Sequence, residues 1–197
     1  MQIFYLSVSI FCNFAKNKTI MSQKSVAVFC GSREGDNPIY IEHAIQLAEI
    51  LVLNKITIIY GGGKKGLMGA LSDSAMKNGG TVIGVIPDFL LQKGHTNTEV
   101  TELRIVKDMH ERKRIMYELC SMAIVLPGGL GTMDELFEMI TWNSLNIHNK
   151  KLVLLNSGNY YQPLITLLDE MQDSEFLHES WRERILVYNF PEEIFSL

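Results

Sequence analysis

The chain has 197 residues, 47% of them hydrophobic and 20% charged, and its 18 Lys+Arg against 22 Asp+Glu leave a formal net charge of −4. At about 150 residues per domain this length fits one compact domain with ample apolar material for a core, which excludes a disordered, collagen-like or disulfide-stapled chain. A mildly acidic chain lacks the basic footprint of a nucleic-acid or anionic-membrane binder, so neither partner is expected and any phosphate chemistry must come from a local site.

Residues 1–15, MQIFYLSVSIFCNFA, are apolar but shorter than the roughly 20 residues that cross a bilayer. Lys16 and Lys18 follow the apolar run rather than precede it, unlike a signal peptide. Met21 then opens MSQKSVAVFCGS, which reads as an ordinary start running into a strand. Residues 1–21 are therefore read as a disordered or misassigned extension and 22–197 as a single domain. Cys12, Cys30 and Cys120 lie in apolar stretches with no CxxC pair, which suits reduced, buried thiols in a cytoplasmic protein.

From residue 22 onward, strand and helix signals alternate. Val26–Cys30 is a short apolar run closed by Gly31-Ser32. Pro38 opens a helix with Ile41, Ile45, Ala48 and Val52 at helical spacing. Ile56–Tyr60 is a β-branched strand, Leu67–Lys77 a helix stopped by Gly79-Gly80, and Val82–Ile86 a strand closed by Pro87. Residues 88–102 read as a polar, irregular loop over a site. A helix at Asp108–Cys120, a strand at Ala123–Leu126, a helix at Thr132–Trp142, a strand at Leu152–Leu155, a helix at Tyr161–Met171 and a short strand at Ile185–Tyr188 complete the chain. Continuous apolar strands separated by helices predict an α/β fold, a Rossmann-like doubly wound parallel sheet with helices on both faces. Ligands of such sheets bind beyond the carboxyl ends of the strands, and three strand exits here carry glycine.

The first glycine loop, Gly61-x-Gly63-x-x-Gly66, matches a dinucleotide fingerprint, although it follows the second strand rather than the first. It is not a P-loop, because Leu67-Met68 follow Gly66 where Lys and Ser/Thr are needed. Its amides either serve a tight turn or hold an anion, with Ser32, Gly62 and Gly63 as candidate contacts. The second loop, Pro127-Gly128-Gly129-Leu130-Gly131-Thr132, enters a helix. Thr132 and Glu135 either form a capping box, or Thr132 binds phosphate and Glu135 faces a sugar. Arg112 interrupts the apolar stripe Met109, Met116 and Leu119. It needs either a structural acid or a ligand's negative charge as partner. His110 has no second His or Cys at ligand spacing, so no metal is expected.

MHERK at 109–113 and PGGLGTMDE at 127–135, together with CGS at 30–32, YGGGKKGLMG at 60–69 and ITWNSLNIH at 140–148, resemble the signatures of the LOG family over roughly Ser25 to Met171. These are cytokinin-activating phosphoribohydrolases, formerly catalogued as possible lysine decarboxylases. The resemblance implies hydrolysis of the N-glycosidic bond of a nucleoside 5′-monophosphate (AMP or an N6-substituted AMP) to free base and ribose 5-phosphate. It implies Arg112 and Glu135 as catalytic residues, and nucleotide contacts at Met109, Lys113, Gly128, Gly129, Gly131, Thr132 and Thr141. It also implies a homodimer and no cofactor. Lys64-Lys65 offer no Schiff-base lysine with an acid for a pyridine nitrogen, so decarboxylation is not the expected reaction. The Pro-Arg-Glu-Leu segment that plant members carry after the third strand is absent. The alternative reading is a nucleotide-binding or sensing protein of the same fold, in which Glu135 is only a cap.

Overall fold

The computed structural model describes residues 24–195. The expected extension over residues 1–21, with Cys12, lies outside the described residues. Seven strands, β1 (Ser25–Phe29), β2 (Thr57–Tyr60), β3 (Val82–Pro87), β4 (Glu102–Val106), β5 (Met122–Val125), β6 (Lys151–Leu155) and β7 (Ile185–Tyr188), form one sheet in the order β4-β3-β2-β1-β5-β6-β7. Every neighbouring pair is parallel. Between them run α1 (Ile39–Leu53), α2 (Gly66–Lys77), the single turn α3 (Asp88–Leu91), α4 (Met109–Leu119), α5 (Leu130–Ser144) and α6 (Gln162–Asp173).

Side chains along a strand point alternately to opposite faces, and the core divides accordingly. Val26 and Val28 of β1 pack with Ala44, Leu47 and Leu71 of α1 and α2. Ala27 and Phe29 pack on the other face with Met116, Leu136 and Ile165 of α4, α5 and α6. From β1 in the middle of the sheet the strands build out to β4, and the chain then returns to lay β5 against β1. The carboxyl ends of β1 and β5 thus flank the switch point where doubly wound sheets place ligands.

Three expectations need correction. Residues 88–102 are not one irregular loop: they contain α3 and lead into β4. That edge strand has only Val106 buried while Ile105 is 55% exposed, so it carries no apolar run to reveal it. The buried face of α1 is Tyr40, Ala44, Leu47, Ala48 and Leu51; of the expected stripe Ile41, Ile45, Ala48 and Val52 only Ala48 is fully buried and the rest are partly so, because apolar residues cover more than one side of this helix. Finally, α5 begins at Leu130, two residues before Thr132. Its stripe packs on the sheet through Leu136 and Met139, whereas Phe137 stays 36% exposed.

Candidate active site

Three chain segments meet at the switch point. Beyond β1 and β5, the Gly31 amide donates to the Pro127 carbonyl (3.0 Å), and the Met68 amide of α2 donates to the Gly31 carbonyl (3.3 Å). Gly66 has φ +62° and lies so close to the Ser32-Arg33 backbone that a Cβ would sit 2.4 Å from the Arg33 nitrogen. Only glycine accommodates both conditions. The Pro127-Gly128-Gly129 turn is braced from behind, with Tyr160 Oη donating to the Gly128 carbonyl and Tyr161 Oη to that of Leu126, both at 2.6 Å. The result is a cleft of about 670 Å³.

Arg112 and Glu135 form its floor. On α4, Asp108 is the N-cap: its carboxylate accepts from the Glu111 amide (2.8 Å) and Glu111 reaches back to the Lys107 amide (2.9 Å). This reciprocal cap sets where the helix starts and hence where Arg112 points. Arg112 Nη1 donates to Glu135 Oε1 (2.8 Å) and Nε to the Val85 carbonyl (3.0 Å). The two side chains are only 10% and 7% exposed. Burial pushes the Glu135 carboxyl above the usual carboxylate range, and Arg112 pulls the other way without cancelling it. Burial likewise pushes the Cys30 thiol up, so this cleft-lining group stays protonated and is no nucleophile.

The capping-box alternative for Thr132 and Glu135 is overturned. The N-cap of α5 is Gly129, without a side-chain cap bond. Thr132 is instead folded against Gly128, where a Cβ would lie 2.1 Å from its Oγ1, and Glu135 is engaged by Arg112 a full turn further along. The first-turn amides of α5, which have no acceptor within the helix, therefore belong to residues that line the cleft.

Of the residues expected at a nucleotide site, Ser32, Gly63, Gly129, Gly131 and Thr132 line the cleft with Arg112 and Glu135. Gly62 and Gly128 shape it from behind: Gly62 has φ +75° and its carbonyl accepts from the Asn97 amide (3.0 Å). The other three stand elsewhere. Lys113 is buried but turned to α5, where its amine pairs with Asp134 (3.0 Å) and Glu138. Burial works against that charge, and the hydrogen bonds the amine donates to the two carboxylates outweigh it, leaving its pKa raised. Asp134 and Glu138 thus hold α4 to α5 through Lys113. The Thr141 hydroxyl donates to the Phe137 carbonyl (2.7 Å) on the outer face of α5. Met109 is half-buried in the first turn of α4, outside the lining.

Sequence reading passed over Arg33, Lys65, Met68, Ile86, Leu90 and His95, all of which line the cleft. Lys65 and Met68 stand inside the YGGGKKGLMG stretch and Arg33 directly follows CGS, whereas Ile86, Leu90 and His95 lie in no motif, since residues 90 to 95 approach the glycine loop only through the fold. Among the described residues no group of three or more His, Cys, Asp or Glu is placed to hold a metal ion.

Fold and cleft together define a doubly wound, Rossmann-like α/β protein with a glycine-lined cleft at the carboxyl edge of its sheet. The family model described as possible lysine decarboxylase matches residues 68–197. A cytokinin riboside 5′-monophosphate phosphoribohydrolase of Rhodococcoides fascians is 42% identical over 165 residues, 83% of this chain and 83% of that protein. One of Arabidopsis thaliana is 44% identical over 164 residues, 83% and 75% of the two chains. The chain belongs to this family, the LOG family. Solved structures sharing the fold include a molybdenum cofactor binding protein from Rippkaea orientalis (TM-score 0.69, 22% identity, 89% of this chain and 95% of that one). Another is the Moco carrier protein from Chlamydomonas reinhardtii (0.66, 18%, 88% and 94%). At such identities the likeness is one of fold.

Proposed function

We propose that the protein is a nucleoside 5′-monophosphate phosphoribohydrolase, similar in activity to an AMP nucleosidase, that releases free base and ribose 5-phosphate from AMP or an N6-substituted AMP such as a cytokinin riboside monophosphate. The observation that carries this reading is the buried Arg112–Glu135 pair on the floor of a cleft whose rim is the open first turn of α5. The phosphate takes the amides and hydroxyl of Gly129, Gly131 and Thr132, with Ser32 and Gly63 opposite, because a helix start and glycine turns suit an anion. Holding the phosphate orients the sugar over Glu135.

Cleavage of the C1′–N bond leaves the electron pair on the base and positive charge on the sugar, as in other glycoside hydrolyses. The Glu135 carboxylate stabilises that charge and takes a proton from the attacking water. A carboxyl raised by burial is better matched to this task than an exposed one. Arg112 holds Glu135 in place and keeps it from being an unpaired buried charge.

On this reading the protein works in the cytoplasm, in keeping with its buried free Cys30 and Cys120. It works as a homodimer, for which Phe137, Leu145 and Ile147, 36%, 64% and 62% exposed, offer apolar surface. The test is to incubate the protein with AMP, an N6-substituted AMP, GMP and CMP and to look for free base by chromatography. Base release that disappears in Glu135→Gln while nucleotide binding persists is the expected result. Tight binding with intact nucleotide in the wild type would favour the sensing alternative.

A further inference from the structure

The reaction proposed above needs a proton for the departing base, and the floor of the cleft supplies none, since Glu135 faces the water and Arg112 is committed to Glu135 and Val85. We propose that His95 is the catalytic acid that protonates the base. The inference rests on the phosphoribohydrolase reading and goes beyond it by assigning the opposite wall of the cleft.

His95 sits after α3, where Gly94 (φ +71°) turns the chain back toward the sheet. The segment is then fastened to the glycine loop by two backbone hydrogen bonds, from the Lys64 amide to the His95 carbonyl (2.7 Å) and from the Asn97 amide to the Gly62 carbonyl (3.0 Å), which together make an antiparallel bridge between Gly63 and Thr96. Asn97, 2% exposed, anchors it further through Nδ2 to Ser72 Oγ (3.0 Å) and Asp73 Oδ1 (2.9 Å). The imidazole is thus borne on a pinned backbone at the cleft wall.

The sheet order decides what this wall faces. His95, Ile86 and Leu90 belong to the β3 side, and the anion-binding turn belongs to β5. Three strand spacings separate β3 from β5, about 14 Å at ~4.8 Å each, which is on the scale of a nucleoside monophosphate laid across the strand ends. Arg112 spans the middle, bonded to the β3 carbonyl of Val85 and to Glu135 of α5. With phosphate at α5 and sugar over Glu135, the base lies against Ile86, Leu90 and His95.

Among the proton-bearing groups of the lining, arginine and lysine hold their protons too firmly to give them up, and Cys30 is pushed further the same way by burial. An imidazole is the side chain suited to donate near neutral pH. As the C1′–N bond breaks and its electron pair passes to the base, the imidazolium gives its proton to a ring nitrogen. Water adds to C1′ and yields its proton to Glu135; Glu135 then releases that proton to solvent as His95 takes one up, so the sum is nucleotide plus water giving base plus ribose 5-phosphate.

The experiment compares wild type, His95→Gln and His95→Ala on 5′-monophosphates of one ribose with increasingly acidic departing purines: adenine, hypoxanthine and 6-chloropurine. A lost general acid lowers kcat for AMP by about 100-fold or more, and the loss shrinks steadily toward 6-chloropurine. A loss equal for all three bases, a change confined to KM, or no loss overturns the assignment while leaving the hydrolase reading intact. Release of base from none of them by the wild type overturns both.

Discussion

Gly61 and Arg112 occupy one another's space: a Cβ built on Gly61 falls 2.0 Å from Arg112 Nη2, with Met68 Sδ at 3.1 Å closing the other side. The glycine is there because the guanidinium passes close over the end of β2 on its way to Glu135. A side chain at 61 pushes the arginine off both its acceptors. Gly61→Ala is expected to fold, since the clash is with a side chain, yet to lose about 100-fold in kcat, the scale of an angstrom-sized misplacement. Circular dichroism and steady-state rates separate the two effects.

Removing one member of the buried pair costs more than removing both. Arg112→Met leaves Glu135 buried without its partner, and stability should fall by about 3–5 kcal/mol. Arg112→Met combined with Glu135→Leu should recover most of that loss, because a matched apolar pair leaves no orphaned charge. Urea denaturation of the single and double variants measures this directly, and equal losses would contradict the account.

The pH dependence follows from the raised Glu135 carboxyl. Once protonated it takes no proton from water, so kcat should fall as pH drops through its raised pKa. That places the acid limb above the ~4.3 of an ordinary glutamate. The stability effect has the opposite sign: a carboxyl raised on folding costs stability as pH climbs from its unfolded value through the folded one. Glu135→Gln, which releases no base, should therefore flatten the decline in stability over the same window. An acid limb at the ordinary glutamate position would contradict the burial argument.

The Lys113 amine, one residue from Arg112 on α4, bridges to Asp134 and Glu138, one and three residues from Glu135 on α5. It sets the register of α4 against α5. Lys113→Met should lower stability by about 1–3 kcal/mol by leaving the half-buried Glu138 unpaired. The Asp134 contact adds little because that carboxylate is 55% exposed. Thermal denaturation checks the loss, and unchanged stability would show that the clamp is idle.

The strands other than β4 were legible as apolar runs, the inner ones because a parallel sheet covered on both faces buries most of their residues, the edge strand β7 because its four residues, Ile185 to Tyr188, are all apolar or aromatic. The edge strand β4 was not, since one buried residue in five leaves no pattern. Arg112 and Glu135 stood out from sequence, one as a charge on an apolar stripe, the other after a glycine turn, and their 23-residue spacing belonged to a recognisable pair of motifs. Lys113 misled for a physical reason: adjacent residues on a helix point about 100° apart, and only the packing of α5 decides which of them meets the cleft.

The sequence by itself determined the alternation of strands and helices, the glycine turns at three strand exits and the two residues of the floor, because local periodicity and backbone freedom are written in neighbouring residues. Only the tertiary structure decided that Arg112 is tied to Glu135, that Thr132 packs on Gly128 rather than capping a helix, and that His95 is held at the wall. Those contacts join residues far apart in the chain, and their geometry comes from strand order and helix packing, which no local pattern encodes.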